Sequence, residues 1–93
     1  PIWVNHLAFD AVDEDVLAQR RETWLDRGHD VMEVDHGFCR SVYTVDPNGI
    51  LVEFCTDTRA LDADDRAAAL KALDDPSPPL EPTKEPVFHP ARA

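Results

Sequence analysis

The side chains able to do chemistry gather in residues 36–53, His-Gly-Phe-Cys-Arg-Ser-Val-Tyr-Thr-Val-Asp-Pro-Asn-Gly-Ile-Leu-Val-Glu, with His6 upstream in Asn5-His6-Leu7-Ala8-Phe9. Imidazole and carboxylate are the ligands of catalytic zinc and non-haem iron. His6 and Glu53 thus offer half of a metal site, because the chain is too short to complete one alone. The stretch reads as a β-hairpin that delivers Tyr43 and Glu53 to one face.

These groups need an element that aligns them, and Asp46-Pro47-Asn48-Gly49-Ile50 is that element. Pro47 suits the first central position of a type I turn and Asn48 the second. Gly49 suits the left-handed position that follows. This is a three-residue hairpin loop closed by a glycine bulge, and it pairs Asp46 with Ile50. Counting outward pairs Tyr43 with Glu53 and Ser41 with Cys55. Opposed residues share a face, so Tyr43 and Glu53 become neighbours, with Val42 and Val52 on the other side. A plain four-residue loop would pair Val45 with Ile50 and separate them. The glycine placement favours the bulge.

Glu53 interrupts the apolar run Ile-Leu-Val-Glu-Phe-Cys. A buried carboxylate is costly unless it is paired or metal-bound. On the residues alone a second reading stands beside the metal one, in which Glu53 faces solvent on an open sheet or pairs with Arg40. His6 alone is a weaker signal, since a single strand histidine is more often structural.

Residues 2–10 read as a strand with Val4, His6 and Ala8 on one face and Trp3, Leu7 and Phe9 on the other. Asp13 caps a helix that carries Val12, Val16, Leu17, Trp24 and Leu25 near helical spacing and stops at Gly28. That helix is expected to cover the Trp3/Leu7/Phe9 face. Strands follow at 29–36, 38–46 and 50–56. The order is β-α-β-β-β, an α+β unit with a curved four-stranded sheet over residues 1–58. A second helix is expected over 63–73, opened by Asp62. Residues 76–90 hold six prolines and should run extended, with Val87 and Phe88 as the only apolar anchor. Residues 59–93 thus form a C-terminal helix and extended tail expected to carry no chemistry.

The formal net charge is −10, from 19 acidic and 9 basic residues. Arg20, Arg21 and Arg27 are scattered among acids, so nucleic acid and anionic membranes are poor partners. There is no apolar run near the length of a membrane span and no signal-peptide pattern. Cys39 and Cys55 are expected to be reduced thiols, and the cytoplasm is the expected compartment. The first residue is Pro1 rather than Met, which fits a processed start or a cut piece of a longer protein.

The strand-helix order, His6 on the first strand and Glu53 on the last resemble one module of the vicinal oxygen chelate superfamily. That superfamily includes glyoxalase I, extradiol dioxygenases, fosfomycin-resistance enzymes and bleomycin-binding proteins. The resemblance covers residues 2–58. His36, Val42-Tyr43, Asp46-Pro47, Gly49 and Glu53 further resemble the extradiol ring-cleavage signature, with a short spacing from His36 to Tyr43. The resemblance implies that His6 and Glu53 are metal ligands, with Fe(II) favoured over Ni(II), Zn(II) or Mn(II). It implies that His36 and Tyr43 line the substrate pocket and act in catalysis. It also implies a second module, because the family's other ligand histidine and its base histidine lie upstream and have no counterpart here. A homo-oligomer or a missing preceding module would supply them. With a preceding module the chemistry expected is that of a dioxygenase on a small substrate with adjacent oxygens. With a second copy it is Lewis-acid chemistry of the glyoxalase or epimerase kind. The alternative is a metal-free small-molecule binding protein of the same fold, in which Phe38, Tyr43 and Trp3 make the contacts.

The remaining candidates read as structural. His29 is expected in an exposed turn, His89 in a solvated tail, and Arg40 beside Asp57. Cys39 and Cys55 are diagonal by the hairpin count, so no disulfide is expected.

Overall fold

A computed structural model of the chain describes residues 5–77 and 84–92. Ile2, Trp3 and Val4, and with them the start of the expected first strand, lie outside the described residues. The remainder of that strand forms β1 (His6–Asp10), and Asp13 then opens α1 (Glu14–Asp26). The Asp13 side chain accepts from the Val16 N–H at 2.8 Å, and Glu14 and Asp15 set negative charge at the positive end of the helix. β2 (Val31–Asp35), β3 (Cys39–Val45) and β4 (Leu51–Asp57) follow, then α2 (Ala63–Leu73) and β5 (Val87–His89). The result is mixed α+β, with one five-stranded mixed sheet in the order β1-β4-β3-β2-β5 and two helices.

The fifth strand corrects the expectation of four. Val87, Phe88 and His89 alternate like any edge strand, and they pair antiparallel with Glu33, Met32 and Val31. Beyond the strand, the Ala91 N–H donates to Asp30 Oδ1 at 2.8 Å. Arg92 reaches Glu22 at 2.6 Å and Asp26 at 3.0 Å on α1. His89 is half-buried against Glu33, at 3.0 Å, rather than solvated.

The hairpin has the expected bulged register. Gly49 has φ of +81°, its N–H donates to the Asp46 carbonyl, and the Asp46 N–H donates to the Ile50 carbonyl. The Asp46 carboxylate also accepts from the Asn48 and Ile50 N–H groups, which stiffens the loop. Tyr43 opposes Glu53 and Ser41 opposes Cys55.

The core is small: Ala11, Leu17, Leu25, Val31 and Val42 are buried, with Val16, Trp24 and Phe54 packed against them. Helix α1 packs chiefly over β2, β3 and β4. This differs from the expected cover of the Leu7/Phe9 face, and both residues stay about half exposed, at 50% and 49%. Phe54 is the hinge of that packing. Its ring meets Phe9 and Trp24 at 5.5 Å each, and the Arg20 guanidinium sits 4.9 Å above it. Val12 is not part of the helix stripe. It precedes the N-cap at φ of +75° and is 77% exposed, held by its N–H to Asp10 Oδ1. Helix α2 has the expected bounds and an Asp62/Asp65 capping box, and it buries none of its residues.

Candidate functional site

The sheet leaves α1 on one side and an open face on the other. Strand alternation puts His6, Ala8, Tyr43, Leu51 and Glu53 on the open face. One run of Cα partners crosses the whole sheet: Ala8, Glu53, Tyr43, Met32 and Phe88, one from each strand. His6 sits one step toward the hairpin end, opposite Leu51 on the parallel β1–β4 pair. That stagger lets its ring reach across to Glu53.

His6 Nε2 and Glu53 Oε1 are 2.8 Å apart, although 47 residues separate them in sequence. The Glu53 side chain is 11% exposed and that of His6 is 35% exposed. The carboxylate is therefore deep while the imidazole forms the solvent side of the pair. Two ligands each about 2.1 Å from a metal and at right angles stand about 3 Å apart. The pair already has that spacing, so its donor atoms fit one edge of a coordination sphere. Among the described residues no group of three or more His, Cys, Asp or Glu side chains is arranged to hold a metal ion.

A second pair stands beside the first. His36 Nε2 lies 3.1 Å from the Tyr43 hydroxyl, and the Tyr43 and His6 rings are 6.1 Å apart. Burial pushes the Tyr43 phenol up to about 12; the adjacent Ser41 hydroxyl opposes the shift and the Glu53 carboxylate adds to it. At neutral pH Tyr43 is a neutral phenol, a donor as well as an acceptor. Ser41 itself is fully buried, and its Oγ has no well-formed hydrogen bond. Cys39 and Cys55 are free thiols. Burial, reinforced by Cys55, Asp57 and Glu53, pushes Cys39 up to about 12, so it keeps its proton at neutral pH.

His6, Glu53, Tyr43 and His36 are thus brought together. Phe38 is not among them: it precedes β3 and is 39% exposed. Arg40 points away from the open face. It lies 3.6–3.8 Å from Glu14, Glu33 and Asp35 rather than beside Asp57, because β3 pairs it with Thr56 and alternation turns it to the helix side.

Two groups escaped the sequence reading. Glu33 accepts from Arg21 and also meets His89, both at 3.0 Å, and so ties α1, β2 and β5 together. Phe88 lines a cavity on the open face with Met32, Tyr43, Val45 and Leu51. The alternation in Val87-Phe88-His89 was the available signal, masked by the prolines around it. No family model, no curated protein and no solved structure matches this chain. No helix among the described residues is long and apolar enough to cross a membrane.

Proposed function

We propose that this chain supplies one half of a divalent-metal centre that binds a small substrate through two adjacent oxygens, as in the vicinal oxygen chelate proteins its sequence resembles. The observation that carries the reading is the convergence of His6 and Glu53 at 2.8 Å on an open sheet face. Glu53 is a buried carboxylate whose partners include one imidazole and the Tyr43 phenol, and a metal would offset its desolvation. The β1-α1-β2-β3-β4 order supports the same reading.

His6 and Glu53 would hold the metal, with Fe(II) favoured and Ni(II), Zn(II) or Mn(II) as substitutes. The ion supplies positive charge that stabilises negative charge on the substrate oxygens. Tyr43, kept neutral, donates its phenolic proton to one of those oxygens. His36 fixes the phenol through the 3.1 Å contact and takes up or returns a proton there. The remaining donors come from a second copy or from a preceding module. A second copy gives two His and two Glu and suits Lewis-acid isomerase or lyase chemistry. A preceding module with one histidine gives two His and one carboxylate and suits oxygen chemistry.

A metal-free binding protein is the second reading, favoured by the apolar cavity beside Tyr43. Titration of the full chain with Fe(II), Ni(II) and Zn(II) separates the two. Binding is expected in the wild type, lost in His6→Ala and Glu53→Ala, and kept in His36→Ala. Metal binding that Glu53→Ala leaves unchanged would overturn the metal reading.

A further inference from the structure

The C-terminal strand does more than extend the sheet. Neighbouring strands are about 4.8 Å apart, so Phe88 on β5 stands roughly 14 Å along the cross-sheet run from Glu53 on β4. The space between is a cavity of about 430 Å³, lined chiefly by Met32, Tyr43, Val45, Leu51, Phe88 and Pro90. That volume falls in the range of small-molecule sites. Its walls are mostly apolar, with Asp30, Thr44 and His89 also in the lining, and two of its residues are Cα partners of the donor pair: Tyr43 opposes Glu53 and Leu51 opposes His6. Tyr43 and Leu51 are thus shared between the cavity wall and the neighbourhood of the His6–Glu53 pair.

Phe88 is 71% exposed although it sits in a strand. Its ring contributes nothing to the α1 core, and the strand is held by other groups: the ladder to β2, His89 on Glu33, and Arg92 on Glu22 and Asp26. An exposed aromatic ring kept at the rim of an apolar cavity is a ligand contact in search of a ligand.

We propose that this cavity is the subsite for a flat apolar substituent of the substrate, and that Phe88 determines how long a substituent is accepted. The inference rests on the reading of His6 and Glu53 as the place of the adjacent oxygens. Two aromatic side chains, Tyr43 and Phe88, bound a slot two strand spacings wide, roughly 10 Å, which suits a ring system rather than a branched or charged group. The tail thereby becomes part of the binding site.

The test is calorimetric titration of the full chain with catechol and with 4-phenylcatechol, each with and without Zn(II). Wild type is expected to bind 4-phenylcatechol about tenfold more tightly than catechol, the order expected for burying part of one ring. Phe88→Ala should erase that difference and leave catechol and Zn(II) affinities unchanged. Phe88→Trp keeps an aromatic residue on β5 but fills the slot, so it should bind 4-phenylcatechol less tightly than wild type does. Equal affinity of wild type for both compounds, or a Phe88→Ala loss that catechol shares, overturns the proposal. The Zn(II) arm is independent. If Zn(II) changes neither affinity while the Phe88 effect persists, the metal reading fails and the apolar subsite stands.

Discussion

Tyr43 and Glu53 face each other directly across the β3–β4 ladder, and the bulge at Gly49 sets that opposition. Without the extra residue every side chain on one strand would shift to the other face of its partner. Nothing lies within 4 Å of the position a Gly49 Cβ would take, so the cost of a side chain there is backbone cost alone. A non-glycine residue in the left-handed region loses about 1–2 kcal/mol. Gly49→Ala is therefore expected to lower urea stability by about that amount, and Gly49→Asn by less, because Asn tolerates this conformation. Gly49→Ala as stable as wild type would remove the positive φ from the argument.

The His6–Glu53 pair has a structural and a functional component that two substitutions separate. His6→Ala leaves a carboxylate that is 11% exposed without its partner, which costs about 1–3 kcal/mol. Glu53→Gln keeps the volume and a hydrogen bond to the imidazole while removing the charge, so its stability should stay within about 1 kcal/mol of wild type. Both variants should lose metal binding. Denaturation midpoints and metal titrations on the same two proteins check this. Full metal affinity in Glu53→Gln would mean that the carboxylate charge is not used.

The hairpin and its neighbours were legible because glycine, proline and asparagine dictate backbone geometry locally. The register from Asp46 to Ile50 follows from three residues, and the meeting of Tyr43 with Glu53 follows from counting. Helix α1 and helix α2 were legible through their aspartate caps. What was not legible is long-range. Residues 76–90 read as an extended proline-rich arm, and only the tertiary partners of this region, the β2 ladder with Glu33, Asp30, Glu22 and Asp26, show Val87–His89 to be an edge strand. Val12 fits the helical spacing of its neighbours yet lies outside the helix, since the Asp13 cap ends the pattern before it. Arg40 had several acids in reach, and its choice among them depends on which face of β3 it occupies. Of the open-face site, the side-chain types were visible in sequence but the cavity beside them was not, because its far wall comes from β5, far along the chain from the Tyr43–Glu53 pair.

Tyr43 gives a pH signature that the single tyrosine in the chain makes clean. Its pKa is raised to about 12, first by burial and then by the Glu53 carboxylate. The folded state keeps the phenolic proton where the unfolded chain, titrating near its ordinary value of about 10, has lost it. The stabilisation from the neutral phenol is therefore complete below about pH 10 and is lost as pH rises toward 12. Tyrosinate absorbance should titrate near 12 in the native protein and near its ordinary value in urea. Glu53→Gln removes one of the raising charges and should move the native midpoint downward. A native midpoint no higher than that in urea would show that the phenol is not buried beside a carboxylate.

Two protein ligands are fewer than the three that catalytic zinc and non-haem iron sites usually take. Among the described residues no third His, Cys, Asp or Glu is placed with His6 and Glu53 to hold one ion. The open face also leaves Val45 at 42% and Phe88 at 71% exposure, an apolar surface that a domain with so small a core gains by covering. Tight metal binding by this chain alone should therefore require two copies, with His6 and Glu53 of each around one ion. Sedimentation equilibrium with and without Zn(II) measures this directly. Zn(II) is expected to strengthen self-association by tenfold or more, which corresponds to about 1.4 kcal/mol, with one ion bound per two chains. Glu53→Ala should abolish the metal dependence and leave any metal-free association as it was. A chain that stays monomeric and binds one Zn(II) tightly would sink the paired site. A monomer that binds weakly would shift the missing ligands to a preceding module, and fusing a second copy of residues 1–93 through a flexible linker should then fail to raise the affinity.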